Sequence, residues 1–314
     1  MPQSPAPKNT RDRLPAGVWG VVATPFQGST LDVDLDSLAE LVEHYENIGA
    51  TGLTVLGVFG EAAALTPQER RDVLETVVES TSLQLVVGVT ALATRPAIEE
   101  VMAAQEVAGP SLAAVMVQAN SARAEAVIAH LDAIHRATGA KVVLQDYPLA
   151  SGVSIPTPAL ISVVNACEYV IAVKAEAPPT SVAIAELSAA VGVSIFGGLG
   201  GQGLLDELMA GASGAMTGFS YPEGLIACVR AWQEGGYEAA ERELRPYLPL
   251  INFEQQAKVA LAIRKECFRE RGLIKDSGVR APAALFPEAL RASMAVHLRE
   301  AASALSAPAT AGSF

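Results

Sequence analysis

The stretch LAAVMVQANSARAEAVIAHLDAIHRATGAKVVLQ (residues 112–145) changes pattern twice. Residues 112–117 are a short apolar run with β-branched side chains, which reads as a strand covered on both faces. Residues 121–138 are longer and alanine-rich, with polar side chains interspersed, and read as a helix. Gly139 stops that helix, and residues 141–145 start a second apolar strand. The stretch is one strand–helix–strand unit. The same alternation extends in both directions. Strands are expected at 18–23, 52–56, 84–89, 112–117, 141–145, 169–173, 193–197 and 214–217. Helices are expected between them at about 36–48, 67–80, 95–108, 121–138, 157–166, 180–190, 201–211 and 222–235. Thr66, Pro67 and Glu69 supply an N-cap, a first-turn proline and an early acid; Gly49, Gly109 and Gly211 end other helices. Eight such units predict an α/β fold, a (β/α)8 TIM barrel with a C-terminal helical extension. An open doubly wound sheet has the same local periodicity, but no Gly-x-Gly-x-x-Gly or P-loop follows the first strand.

Four segments are expected: a flexible leader (1–16), the barrel (17–236), C-terminal helices (237–305) and a flexible tail (306–314). The last helices are expected at 238–246, 252–271 and 287–304, with no strand between them. Of the 314 residues, 50% are hydrophobic and 18% charged, which excludes a disordered chain and supports a large core. The net charge of −12 offers no basic stripe for nucleic acid. No apolar run is long enough for a membrane helix, and the polar start MPQSPAPKNTRDR is not a signal peptide. Cys167, Cys228 and Cys267 show no metal-type spacing and suit a reducing cytoplasm; the four histidines form no zinc pattern.

Six lysines occur, and Lys174 alone ends an apolar strand, Tyr169-Val170-Ile171-Ala172-Val173. Alternation places Val170, Ala172, Lys174 and Glu176 on one face. Lys174 then lies at the C-terminal mouth, where barrel enzymes carry their chemistry. Loss of hydration favours the neutral amine, which attacks carbonyl carbon and forms a Schiff base. The plainer reading is a strand-end lysine paired with a surface acid.

At this point the chain resembles the dihydrodipicolinate synthase / N-acetylneuraminate lyase family of class I aldolases. The likeness rests on Ala23-Thr24-Pro25-Phe26, on Gly57-Val58-Phe59-Gly60-Glu61 with Leu65-Thr66 and Glu69-Arg70, on Val173-Lys174 and on Gly211-Ala212-Ser213-Gly214. The resemblance implies a (β/α)8 barrel with a C-terminal helical bundle, Lys174 as Schiff-base lysine, a small-molecule 2-oxo acid substrate, no cofactor, no metal and a homotetramer. Departures are visible. Val58 and Phe59 stand where the family carries two threonines, and Gln145 holds the place of its proton-relay tyrosine. The arginine often found beyond has no counterpart in Leu149-Ala150-Ser151-Gly152, and the tyrosine-bearing segment after strand four is absent from Gln118-Ala119-Asn120-Ser121. These departures argue against the synthase activity itself. Gln145-Asp146, Lys174-Ala175-Glu176-Ala177-Pro178, Gly214-Ala215-Met216-Thr217-Gly218 and Leu248-Pro249-Leu250-Ile251-Asn252 look like the 2-keto-3-deoxy sugar acid dehydratase subgroup, such as the L-2-keto-3-deoxyarabonate type.

The candidate catalytic residues are Lys174, Tyr147 and Glu176. Tyr147 has the parity of Gln145 and replaces the missing phenol if the strand continues past Pro148; otherwise it is a packing residue. Glu176 is the candidate general acid–base, or a salt-bridged orienting group. Candidate substrate contacts are Val58 and Phe59, whose backbone N–H groups suit a carboxylate, with Gln145, Asp146, Gly198, Met216 and Thr217. Glu61 either orders the site by hydrogen bonding or favours the start of helix two. The expected protein is a cytoplasmic Schiff-base lyase, aldolase or dehydratase, acting on a 2-oxo acid, with no nucleic acid and no membrane as partner. The competing reading is a barrel that keeps the lysine, has lost its proton relay, and binds a 2-oxo acid with little or no turnover.

Overall fold

The valine-rich runs at 85–89 and 142–146 are buried at every position, as strands covered by helices on one side and by the barrel interior on the other must be. The structure, a computed structural model, describes residues 11–306. Its parallel strands are β1 (Gly17–Val21), β2 (Gly52–Val55), β3 (Leu85–Val89), β4 (Leu112–Gln118), β5 (Val142–Asp146), β6 (Val170–Ala175), β7 (Ser194–Gly197) and β8 (Gly214–Thr217). Each pairs with its sequence neighbours, and β8 pairs with β1 in a register running from Gly17–Gly214 to Gly20–Thr217. That closure makes the sheet a barrel and removes the open-sheet alternative.

The covering helices are α1 (Leu35–Asn47), α2 (Pro67–Ser80), α3 (Thr94–Ala108), α4 (Ala124–Thr138), α5 (Thr157–Ala166), α6 (Thr180–Ala190), α7 (Leu204–Met209) and α8 (Pro222–Leu244). The start of α2 is a full capping box: Thr66 Oγ1 accepts from the Glu69 N–H at 3.2 Å, and Glu69 Oε2 accepts from the Thr66 N–H at 2.8 Å.

Trp19, Val86, Met116, Val143, Ile171, Phe196 and Met216 fill the barrel interior. Leu14 joins them from below, and Ser194 Oγ donates to its carbonyl at 2.6 Å. Arg11 donates to the Val164 carbonyl at 2.7 Å. Residues 11–16 therefore differ from the loose leader expected of them: an apolar side chain and three carbonyl or guanidinium contacts fasten them to the barrel floor. Residues 1–10 and the tail at 307–314 lie outside the described residues.

Strand β6 also departs from simple alternation. Val142 pairs with Val170 but Val143 pairs with Ala172, so Ile171 is an extra, unpaired residue. Val170 consequently packs in the outer layer with Val173, while Ile171 and Ala172 face inward. Past the bulge the alternation resumes with Lys174 on the inner side.

Helix α8 breaks at Gly236 (φ 70°, ψ −156°), close to the expected end of the barrel. Then come α9 (Leu248–Glu254), α10 (Ala260–Glu270) and α11 (Arg291–Ser306). The single helix expected at 252–271 is thus two. The chain leaves helical geometry at residues 255–259, where Lys258 takes a left-handed φ of 72°. These helices form no separate body: Leu250, Ile263, Cys267 and Phe268 belong to one apolar cluster with Val18 and Leu53 of the barrel wall and with Phe26, which follows β1. No described helix is long and apolar enough to cross a membrane.

Candidate active site

Parallel register sets the site. Gln118 of β4 pairs with Gln145 of β5, and Gln145 pairs with Lys174 of β6, so three polar side chains end three adjacent apolar strands in one row. All three are buried. The ladder runs one step further, with the Glu176 N–H donating to the Asp146 carbonyl at 2.9 Å. That bond holds Glu176 beside Lys174, and Lys174 Nζ lies 3.2 Å from Glu176 Oε2.

Both oxygens of the Glu176 carboxylate are engaged. Oε2 also accepts from Gln145 Nε2 at 2.8 Å, and Oε1 accepts from the Leu199 N–H at 3.3 Å. Leu199 holds a left-handed φ of 48°, a conformation that costs a branched residue about 1–3 kcal/mol and turns its N–H toward the carboxylate. Gly198 must be glycine for the same reason, because a Cβ there would run into Glu176 Oε1. The glycine-rich turn after β7 is thus shaped around a carboxylate.

These groups line a cavity of about 340 Å³ at the C-terminal mouth. Of the residues singled out from sequence, Lys174, Tyr147, Glu176, Val58, Phe59, Gln145 and Thr217 border it. Asp146, Gly198 and Met216 do not. Asp146 has the opposite parity to Gln145 and points away; burial, with the charge of Glu176, pushes its carboxyl up to about 6. Met216 lies in the barrel interior beneath. Thr217 Oγ1 accepts from the Gly200 N–H at 2.8 Å, so it supports the turn after β7.

Strand β5 does stop at Asp146, and Pro148 opens a single helical turn, yet Tyr147 still borders the cavity. Burial and the Glu176 charge raise its phenol, against the opposing pull of Arg264, so the phenol keeps its proton. Among the described residues the Val58 and Phe59 N–H groups make no hydrogen bond. The Phe59 ring packs toward Phe268 at a centroid distance of 6.3 Å. Its bulk wedges the turn after β2 against α10, where a threonine would not reach.

Glu61 does not start α2. Its Oε1 accepts from Lys265 Nζ at 2.9 Å, and its Oε2 accepts from the Arg280 N–H at 2.9 Å. Lys265 is fully buried, donates also to the Thr24 carbonyl at 2.9 Å and lies 4.2 Å from the centre of the Phe26 ring. Glu61 therefore ties the turn after β2 to the C-terminal helices.

Those helices supply the part of the site that sequence reasoning missed. Gln255, Lys258, Leu261 and Arg264 border the cavity opposite Lys174. The available signal was the pair Arg264-Lys265 within an otherwise apolar turn, Ala260-Leu261-Ala262-Ile263. No cluster of His, Cys, Asp or Glu able to hold a metal ion occurs among the described residues.

A model of the dihydrodipicolinate synthetase family matches residues 14–301. Over 277 residues the chain is 32% identical to an L-2-keto-3-deoxyarabonate dehydratase of Azospirillum brasilense, covering 85% of this chain and 88% of that one. It is 29% identical to a 4-hydroxy-tetrahydrodipicolinate synthase of Kineococcus radiotolerans, covering 84% and 86%. Among solved structures, dihydrodipicolinate synthase of Rhodopseudomonas palustris superposes with a TM-score of 0.84 at 28% identity, covering 92% of this chain and 99% of that one.

Proposed function

This chain belongs to the dihydrodipicolinate synthetase family and is a class I aldolase-type lyase; within that family we propose that it is a Schiff-base-forming dehydratase of a 2-keto-3-deoxy sugar acid. The observation that carries the reading is the buried Lys174–Glu176 pair, 3.2 Å apart at the mouth of the barrel. Its likeness to the Azospirillum dehydratase supports elimination over carbon–carbon cleavage.

The Lys174 amine adds to the C2 carbonyl of the 2-oxo acid, and loss of water leaves a protonated imine that draws electrons from C3. The C1 carboxylate rests on the N–H groups of Val58 and Phe59. C3 and C4 lie two and three bonds from Nζ, and Glu176, with Oε2 3.2 Å from Nζ, is the one carboxylate among the described residues that borders the cavity, so the proton transfers at C3 and C4 are assigned to it. Glu176 takes the C3 proton and returns one to the departing C4 hydroxyl, which leaves as water. Tyr147, which holds its proton, takes the place of the absent relay tyrosine during imine formation. Gln145 fixes Glu176 by its 2.8 Å hydrogen bond.

Incubation with pyruvate or a longer 2-oxo acid, then borohydride, should add mass to one peptide, that bearing Lys174. Labelling that persists in Lys174→Ala removes the reading. Labelling without turnover of any 2-keto-3-deoxy sugar acid instead favours the binding protein. We also propose a homotetramer, supported by family membership and by the exposed Met102, Leu149, Met209 and Leu285. Light scattering at micromolar concentration that gives a stable 32.5 kDa particle overturns it. A cytoplasmic setting accords with three unpaired, buried thiols.

A further inference from the structure

Glu207 of α7 is a buried carboxyl that the mechanism does not use. It is 1% exposed and does not border the cavity. It lies on the outer side of β7, against Gly197, which pairs with Ala175 one step past the inward pair Phe196–Lys174. A Cβ on Gly197 would run into Glu207 Oε2, and one on Gly203 would lie 3.0 Å from Oε1. The carboxyl therefore packs on bare backbone at both ends of the turn from Gly198 to Gln202. Its Oε1 also accepts from Thr180 Oγ1 at 2.7 Å, and only residues 177–179 separate Thr180 from Glu176.

These two segments are the ones that set Glu176. The turn after β7 presents the Leu199 N–H to Glu176 Oε1, and the segment ending at Thr180 begins at Glu176 itself. The turn is strained, with left-handed φ values of 48° at Leu199, 66° at Gly200 and 83° at Gly201. Such a backbone persists only where its surroundings fix it. Thr217 fixes it from inside, through the Gly200 N–H. Glu207 meets it from outside. An apolar side chain of equal volume would fill the same space and leave the Thr180 hydroxyl without its acceptor.

We propose that Glu207 is a positioning residue for Glu176: from outside the barrel it clamps both the turn that donates to that carboxylate and the segment that follows it. The proposal rests on Glu176 as the acid–base group. Burial pushes the Glu207 carboxyl up to about 7 against the Thr180 hydroxyl, with Glu176 and Asp206 adding to the rise. On the acid side of that value it is neutral and acts by shape and hydrogen bonding.

Glu207→Ala, Thr180→Val and Glu207→Gln test it in the full chain. Thr180→Val removes only the hydroxyl, and Glu207→Gln keeps an acceptor for it. Three quantities are read: amide hydrogen exchange in peptides spanning 197–203, borohydride capture of pyruvate, and exchange of the pyruvate C3 protons for solvent deuterium, the step assigned to Glu176. Glu207→Ala and Thr180→Val should speed amide exchange in the turn and leave capture in place. At saturating pyruvate they should slow C3 exchange about ten- to a hundredfold, the reach of a small misplacement. The acid limb of that exchange should move to higher pH, because the Leu199 hydrogen bond favours the charged carboxylate. The other titratable groups around Glu176, namely Lys174, Asp146, Tyr147 and Arg264, are unchanged in these variants. Glu207→Gln should follow wild type in all three quantities on the acid side. Unaltered amide exchange in Glu207→Ala and Thr180→Val, an acid limb that stays in place, or a Gln variant as impaired as Ala overturns the proposal. A wild type that neither captures pyruvate nor exchanges its protons removes the dehydratase reading instead. Amide exchange in the turn then decides by itself whether Glu207 holds it.

Discussion

Glu176 touches the Lys174 amine, a glutamine amide and a backbone N–H at once, so replacing it tests chemistry against positioning. Glu176→Gln keeps the shape and loses the exchangeable proton. Imine formation needs only the amine and a relay, so borohydride labelling of Lys174 should survive. Dehydration, read by ultraviolet or mass detection of product, should fall by about 10²–10⁴-fold, the usual share of a general acid–base group. Labelling and turnover that fall together would make Glu176 a positioning residue for Lys174; no fall in either passes the role to Tyr147. Lys174 was legible in the sequence because it is a cation ending an apolar strand, and strand parity brought Glu176 with it. The same parity misplaced Val170, because one extra residue at Ile171 cannot be seen in a run that is apolar on both faces. Asp146 was misplaced for a related reason: adjacent to Gln145 in sequence, it projects to the opposite side of β5.

The strand–helix alternation was readable because each element carries its own period and stop signal. The closing turn of the site, between α9 and α10, was not. Arg264-Lys265-Glu266 has the look of a solvated helix face, yet Lys265 is satisfied by Thr24 and Glu61, groups far away in sequence. The buried Lys265–Glu61 pair is the clearest case, with partners 204 residues apart. It fastens α10, and with it Arg264, over the mouth. Breaking such a pair leaves an unpaired buried charge, so Lys265→Met should destabilise by about 3–5 kcal/mol. Adding Glu61→Gln to Lys265→Met removes that charge and should recover a large part of the loss. Thermal denaturation of the three proteins decides this. A double variant no more stable than Lys265→Met alone would show that the lysine acts by packing on Phe26 and not by its charge.

Across the whole molecule, two sets of carboxyls pull stability in opposite directions with pH. Arg280 holds Glu69 down to about 2. Burial opposes the charges on Glu223 and Glu266, but His44 and Arg271 on the first, and Arg269, Ser277 and Arg291 on the second, outweigh it and hold both at about 2. These three stabilise the fold above their ordinary value near 4.5, and that contribution is lost as pH falls toward 2. The other set is raised. Burial pushes Glu207 to about 7 in spite of the Thr180 hydroxyl, pushes Glu254 to about 7 in spite of Arg264, and lifts Asp146 to about 6. A raised carboxyl prefers its proton in the folded state, so its contribution is present at low pH and is lost as pH rises through 6 to 7. The net charge of −12 steepens the alkaline decline through self-repulsion. Resistance to chemical denaturation should therefore peak at about pH 5 and fall on both sides. Glu207→Gln tests the alkaline limb on a residue behind the site, one whose Thr180 hydrogen bond of 2.7 Å an amide oxygen can keep. The variant should match wild type at pH 5 and exceed it at pH 8 by about 1–3 kcal/mol, since each unit of displacement is worth about 1.4 kcal/mol. A wild-type midpoint that holds level or rises from pH 5 to pH 8, or a variant weaker than wild type at pH 8, would mean that these buried carboxyls are charged and paired in the folded protein.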